Sequence, residues 1–447
     1  MQPDNEKFVK LFRQALPYIN AYRGKVFVIL LPGEALAHDN ISNIAHDITL
    51  LSSLGVKLVL AHGARPQIDT ALKAAGLKDE KVDDVLGEMH HQLRVTDSAS
   101  LDEIKKVVGT LRFDIEAMFS TSLLNSPMHG ADISTVSGNY IIAKPFGIHN
   151  GVDYCHTGEV RKVDSDEITR QLDAGKTVLQ SNLGYSPSGE VFNITIEEVA
   201  VSIATALKAD KLLVYSAESG ILDEEGEAIN QLNAEEALSL IQKKVASNGL
   251  DQQLLNLELG VKACKAGVKR AQVISYAEDG ALLTELFTRD GTGTLITKEN
   301  YETLRDATLD DVNGILELIQ PLEQEGILLE RSRELLEDEI EKFTVIEREG
   351  MIIACGALYP QDDDSGELAC VATHPDYRKA NRGQLILEQI EKNAAKSKLN
   401  SLFVLTTKTP HWFVERGFEE SDIESLPESK KSLYNYQRNS KIFKKRL

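Results

Sequence analysis

The chain has 447 residues, 42% of them hydrophobic and 26% charged. That is a globular composition, too long for one ordinary core, so two or three domains are expected. The net charge of −20 argues against a nucleic-acid partner, and no apolar stretch approaches the roughly 18 residues that would cross a membrane.

In chain order, residues 1–24 read as an amphipathic N-terminal helix rather than a signal peptide. Over residues 25–292, short apolar runs such as "KVFVIL", "VKLVLAHG", "TVLQSNLG", "DKLLVYS" and "AQVISY" alternate with helical patterns at Asn40–Leu54, Ile196–Leu207 and Gly260–Ala266. The alternation predicts an α/β fold, a mainly parallel sheet sandwiched between helices. The polar segment Asp223–Asp251 is expected to be a surface excursion, and residues 293–303 a linker. The rhythm then changes. Thr308 and Asp311 make a capping box ahead of a helix at Val312–Gln320, and Ser332 caps a second at Arg333–Phe343. The runs "FTVIER", "MIIACGALYP" and "GELACVATH" predict an antiparallel meander. A helix from Gly383 to Ser397, the strand "SLFVLTT" and the helix "HWFVERGF" complete a smaller α+β domain at 304–447. The four cysteines, Cys155, Cys264, Cys355 and Cys370, show neither zinc-site nor disulfide spacing, which fits a reducing, cytoplasmic setting.

The second half carries the clearest chemistry. "VATHPDYRKANRGQLIL" (Val371–Leu387) runs from a strand end through a loop into a helix N-terminus, where backbone N–H groups and the helix dipole favour a pyrophosphate. With the order of elements, it resembles the GNAT acetyltransferases, whose loop reads Arg/Gln-x-x-Gly-x-Gly/Ala. Arg378 and Gly383 match; Asn381 stands at the first glycine, and Asn tolerates the left-handed conformation that position needs. The resemblance implies acetyl-CoA as co-substrate and no permanently bound cofactor. Arg378, Arg382 and Gly383 would hold its phosphates, and the main chain at Cys370 and Val371 would polarise the thioester. Acetyl transfer to an amine needs a base for the ammonium and a proton for the departing thiolate. Glu367, entering its strand, is the candidate base. Trp412 and Phe413 stand where many GNAT enzymes have a tyrosine acid, which leaves a hydroxyl of Thr406 or Thr407, with Thr406 preferred. Arg331 and Arg438, the latter near Ser440, would together suit an acceptor with two carboxylates.

The first half carries "LVLAHGARPQID", "LRVTD", "GEVFNI", "LKADKLLVYSAESGIL" and "ALLTELFTRDGTGTLI". In this order they resemble the amino-acid kinase family, N-acetylglutamate kinases most closely. The kinase chemistry has been stripped out. Leu30 and Pro32 occupy the lysine and first glycine of the family's first loop, and Asn256 stands near a second lysine position. His62-Gly63-Ala64-Arg65 replaces the glycine-rich run, and Asn193 to Glu197 replaces an Asn-x-Asn-Ala-Asp stretch. Phosphoryl transfer depends on positioned positive charge, so this half is expected to be catalytically dead.

Together the two halves resemble the two-domain bacterial N-acetylglutamate synthases. That resemblance implies acetyl transfer from acetyl-CoA to the α-amino group of L-glutamate, giving N-acetyl-L-glutamate and CoA, the first step of arginine biosynthesis. Glutamate would meet Leu328, Arg331, Cys370, Arg438 and Ser440. L-Arginine would bind the kinase-like half as feedback inhibitor through Tyr18, Lys211, Glu285 and Gly291, and the chain would assemble as a homohexamer. The alternatives are a bifunctional synthase–kinase and a GNAT enzyme acting on protein lysines.

Overall fold

A computed structural model describes residues 5–83, 92–120, 128–131, 133–223, 226, 228–248, 251–288, 291–298, 302–348, 350–378, 381–408, 410–432 and 440–447. Two units separate, Met1–Glu299 and Asn300–Leu447.

In the first unit, β1 (Val26–Leu31), β2 (Lys57–His62), β3 (Thr135–Val136), β4 (Thr177–Ser181), β5 (Lys211–Ser216), β6 (Gln231–Asn233), β7 (Arg270–Ser275) and β8 (Thr294–Thr297) form one sheet. Its order is β6-β8-β7-β5-β1-β2-β4-β3, and every neighbouring pair is parallel except β7 with β8. A smaller mixed sheet joins Val191–Asn193, Leu183–Tyr185, Ile141–Pro145 and Gly158–Val163. The helices that matter for function are α1 (Asn5–Tyr22), α2 (Ile41–Ser53), α3 (Arg65–Ala74), α4 (Ser98–Phe119), α5 (Ile196–Ala206), α6 (Gln252–Lys265) and α7 (Ala281–Phe287).

Strand β1 shows why its sequence is an unbroken apolar run. Val28 and Leu30 pack with Val199 of α5 and Leu257 of α6, while Phe27, Ile29 and Leu31 pack with Ile48 of α2 and Leu282 of α7. Both faces are covered, so the alternation of a half-exposed strand has no place.

Two expectations need correction. Asp223–Asp251 is not a bare excursion: it holds β6 and a helix at Ala234–Asn248. Leu232, Ala237 and Ile241 join the core, but a three-residue strand with one buried side chain gives too short an apolar signal to read. Likewise, 293–303 is not a bare linker: the two units divide inside it, between Glu299 and Asn300, but among its described residues 294–297 and 302–303 are strand. Thr294–Thr297 is buried at all four positions and closes on β7, its threonines serving as β-branched strand formers.

In the second unit, β9 (Glu302–Asp306), β10 (Phe343–Arg348), β11 (Met351–Pro360), β12 (Ser365–Thr373), β13 (Ser401–Thr406), β14 (Glu419–Ser421) and β15 (Lys441–Arg446) run in the order β9-β10-β11-β12-β13-β15-β14. Packed with them are α8 (Val312–Gln324), α9 (Arg333–Asp338), α10 (Arg382–Lys396), α11 (Pro410–Val414) and α12 (Glu428–Lys431). The capping box forms as read: Asp311 accepts the Thr308 backbone N–H at 2.8 Å. The Arg305 guanidinium forks onto the same carboxylate, the largest of the interactions that hold Asp311 down at about 2. Helix α9 ends at Asp338, short of the expected Phe343, which instead opens β10.

Two irregularities shape the sheet's centre. The parallel pair β12–β13 is in register only from Ser365↔Ser401 to Glu367↔Phe403, although β12 continues to Thr373 and β13 to Thr406; beyond Glu367 the strands part. Opposite this, the β11–β12 register shifts between Cys355 and Ala357, and Cys370 adopts a φ of 54°. One residue, Gly356, faces two, Cys370 and Val371, which makes a bulge that re-aims the strand.

Candidate active site

The opening between β12 and β13 is lined on one face by residues the sequence had kept far apart. Tyr359 and Glu367 are cross-strand partners, as are Glu367 and Phe403, so their side chains share a face. The bulge turns Cys370 to that side as well, where it packs in the same cluster as Cys355, with Leu328 and Tyr359 against it. The Cys355 Sγ lies 3.4 Å from the Cys370 carbonyl, as donor. Arg331 reaches in from the turn before α9. Burial opposes its charge, but Cys370, Tyr359 and Glu367 around it outweigh that and raise its pKa. Its backbone N–H donates to Glu323 and its side chain to the Leu329 carbonyl, which fixes the turn. Tyr359 donates to Glu339 at 2.7 Å; burial, then that carboxylate, pushes its phenol up.

Glu367 is held at 2.6 Å by the Lys430 ammonium, with only 14% of the Glu367 side chain exposed. The ion pair fixes where that carboxylate stands on the face it shares with Tyr359 and Phe403. Thus Leu328, Arg331, Glu367 and Cys370 come together. Ser440 precedes Lys441, the partner of Thr406 in β15. Arg438 lies outside the described residues. Thr406 follows the alternation of Leu402 and Val404 onto the α10 face, opposite to Glu367, and its Oγ1 accepts the Lys408 N–H at 3.4 Å.

On the α10 side, the loop after β12 delivers Asn381 as N-cap with φ 51°, the left-handed geometry for which asparagine was read as the glycine's substitute. Gly383 lies under Trp412: a Cβ there would meet the indole at 3.2 Å. Val371 packs beside the same helix, and Arg378 is exposed. Arg382 departs from its expected role. Its side chain is committed bidentately to Glu302 at 2.5 and 2.8 Å, donates to the Tyr377 carbonyl and stacks on the Tyr377 ring. At this helix start it offers its backbone N–H rather than its guanidinium.

The first unit assembles a second constellation. Lys211, 4% exposed, donates to Gln272 at 2.9 Å and lies over the ring of Tyr22 at 5.2 Å. Gln272 donates in turn to Glu285 at 2.6 Å. The other Glu285 oxygen accepts the N–H groups of Thr292 and Gly293 at 2.8 and 2.9 Å. A Cβ at Gly291, whose φ is 62°, would collide with that carboxylate, and the Tyr18 ring lies tilted 6.2 Å from that of Tyr22. A buried cation and a buried anion joined through one amide suit a small zwitterion: carboxylate toward Lys211, cation toward Glu285. Tyr22 and Gln272 escaped the sequence reading, as did Tyr359 and Lys430; each acquires its part only through register or a distant helix.

Leu30 is buried in apolar surroundings between Ala61 and Val214, where a kinase would need its lysine. Among the described residues no helix is long and apolar enough to cross a membrane.

The sequence matches the Amino acid kinase family over residues 25–275 and the acetyltransferase (GNAT) domain over residues 339–420. It is 52% identical over 441 residues to an amino-acid acetyltransferase of Azotobacter vinelandii, covering 98% of this chain and 99% of that one. It is also 52% identical over 442 residues to one of Pseudomonas fluorescens, covering 99% and 100%. The structure is similar to N-acetylglutamate synthase from Neisseria gonorrhoeae complexed with coenzyme A and L-arginine, with TM-score 0.85 and 37% identity over 98% of this chain and 99% of that one. The same protein complexed with coenzyme A and N-acetyl-glutamate gives a TM-score of 0.61 with the same identity and coverage.

Proposed function

The chain belongs to the amino-acid acetyltransferase family, and from that membership we propose that it moves acetyl from acetyl-CoA to the α-amino group of L-glutamate, under feedback inhibition by L-arginine bound to the kinase-like unit. The observation that carries the reading is the convergence of Arg331, Cys370 and Glu367 on one face of the parted strands. The substrate's carboxylates meet Arg331 and, in the segment before β15, Arg438 and Ser440, with Leu328 packing against the carbon chain. Glu367 takes the ammonium proton. The acetyl-CoA pyrophosphate sits at the α10 N-terminus with Arg378, Gly383 and the Arg382 backbone, and the thioester reaches the bulge at Cys370 and Val371. The freed amine attacks the thioester carbonyl, the C–N bond forms, the C–S bond breaks, and the nitrogen's second proton passes to the thiolate, with the Thr406 hydroxyl as the candidate relay that donates one proton and regains another.

Arginine occupies the Tyr18–Lys211–Glu285–Gly291 constellation, and the chains associate as a hexamer of kinase-like units. With Leu30 at the lysine position, that unit transfers no phosphate. The relative's complexes with coenzyme A, L-arginine and N-acetyl-glutamate support these ligand classes. The test is free-thiol release from acetyl-CoA with and without L-glutamate, each repeated with L-arginine. Glutamate-dependent release that arginine suppresses is expected. Release that ignores arginine rejects the effector, and release independent of glutamate rejects the acceptor.

A further inference from the structure

The relict kinase cleft has not closed. A cavity of about 640 Å³ opens at the carboxyl ends of β1 and β2, walled by Pro32, Gly63, Arg65, Arg94, Asn182 and Glu197 among others. This end of a parallel sheet is where α/β folds take ligands, and the volume suits one small molecule. Two of its polar side chains are almost fully buried, Asn182 at 5% and Glu197 at 4% exposure. Asn182 Oδ1, Glu197 Oε2 and the Thr195 hydroxyl oxygen, all from residues lining the cavity, have no hydrogen-bond partner. Buried polar atoms are rarely left unpaired in a native fold without a reason.

Charge decides what the site could take. The three cations that line it are committed: Arg65 to Glu197 at 3.2 Å, and Lys81 and Arg94 to Asp69 and Asp79. A nucleotide's phosphates would find no uncommitted cation there among the described residues. Two of the unpaired atoms are pure acceptors, and the third accepts as readily as it donates. The complement is an N–H donor: Arg65 engages only Oε1 of Glu197, so Oε2 is left to accept one, and a cationic donor makes the stronger hydrogen bond to a carboxylate.

We propose that this cleft is a small-molecule site separate from the Lys211–Glu285 constellation, binding a metabolite of amino-acid size through an ammonium or guanidinium group held by Glu197, Asn182 and Thr195. The inference does not rest on the acetyl-transfer reading. Titration calorimetry on the full chain tests it, with L-lysine, putrescine and agmatine as probes and Mg-ATP as the anionic control. At least one amine is expected to saturate with a Kd below about 1 mM. Glu197→Gln and Thr195→Val should each weaken it by about tenfold or more, while Glu285→Gln leaves it within about twofold. Putrescine binding would mark a bare diamine site, L-lysine alone one that also grips a carboxylate, and agmatine alone one that selects a guanidinium. No saturation by any amine, in protein that still binds acetyl-CoA, overturns the proposal. So does affinity that follows Glu285 instead of Glu197, or Mg-ATP binding in place of the amines.

Discussion

Glu367 and Lys430 pose the sharpest question about a single residue. A general base must be held within reach of the proton it takes, and the ammonium 2.6 Å away fixes the position of the Glu367 carboxylate. Removing the carboxylate by Glu367→Ala should lower kcat by roughly 10²–10⁴-fold and change KM for glutamate far less, because proton transfer belongs to the transition state. Steady-state kinetics checks it; normal turnover in the variant removes Glu367 from the mechanism. Glu367 was readable from sequence because it opens the strand "GELACVAT", and Arg331 because an arginine between two helices is conspicuous. Lys430 and Tyr359 were not readable. One is brought up by a four-residue helix, the other by cross-strand register, and neither relation leaves a local trace in the chain.

At the scale of elements, the Lys211–Glu285 constellation, proposed above as the arginine site, depends on residues 291–293 lying close against Glu285. At Gly291 the backbone is left-handed and a Cβ would collide with the Glu285 carboxylate, so a β-branched side chain is doubly excluded. Gly291→Val should therefore abolish the arginine response, measured as the ratio of thiol-release rates with and without saturating arginine. A ratio equal to wild type would separate this turn from regulation. The turn "ELFTRDGTGT" was legible as a motif, whereas β8, which begins at its last residue, was read as linker because only two apolar residues, Leu295 and Ile296, follow that Gly-Thr run. Unbroken runs such as β1 were legible because burial on both faces demands them. The main chain at Cys370 was anticipated only as a feature that polarises a thioester; the bulge itself appears in the register alone.

Helix α2 carries a different kind of prediction. Asp47 lines a cavity with His46, His129 and Asp279, and burial, then the Asp279 charge, raises its pKa to about 7. The folded state therefore holds a proton on Asp47 that the unfolded chain releases near its ordinary value of 3.8. The stabilisation is full below that value, falls as pH rises through about 7, and is gone above it, by at most about 4 kcal/mol. Asp47→Asn should flatten the loss of stability between pH 4 and 7 without the acid. Denaturant midpoints across that window decide: an unchanged slope in the variant assigns the pH dependence elsewhere.

For the molecule as a whole, the outer face of α1 bears on assembly. Tyr18 and Tyr22 turn inward to the unit's own core, while Val9, Phe12 and Leu16, three and four residues apart, form a second stripe exposed at 40, 64 and 56%. A helix apolar on two faces has one more than its own unit covers, and burying such a stripe against another chain is the economical way to remove it from water. If hexamers form through this stripe, introducing charge with Phe12→Glu and Leu16→Glu should shift the mass in light scattering from about six chains toward the 49.4 kDa of one. The inward stripe is untouched, so the unit itself should still melt cooperatively. A doubly charged variant that keeps the full assembly mass would move the interface off α1. One that dissociates and also loses its arginine response would tie assembly to regulation through the same helix, since Tyr18 and Tyr22 stand on its other face.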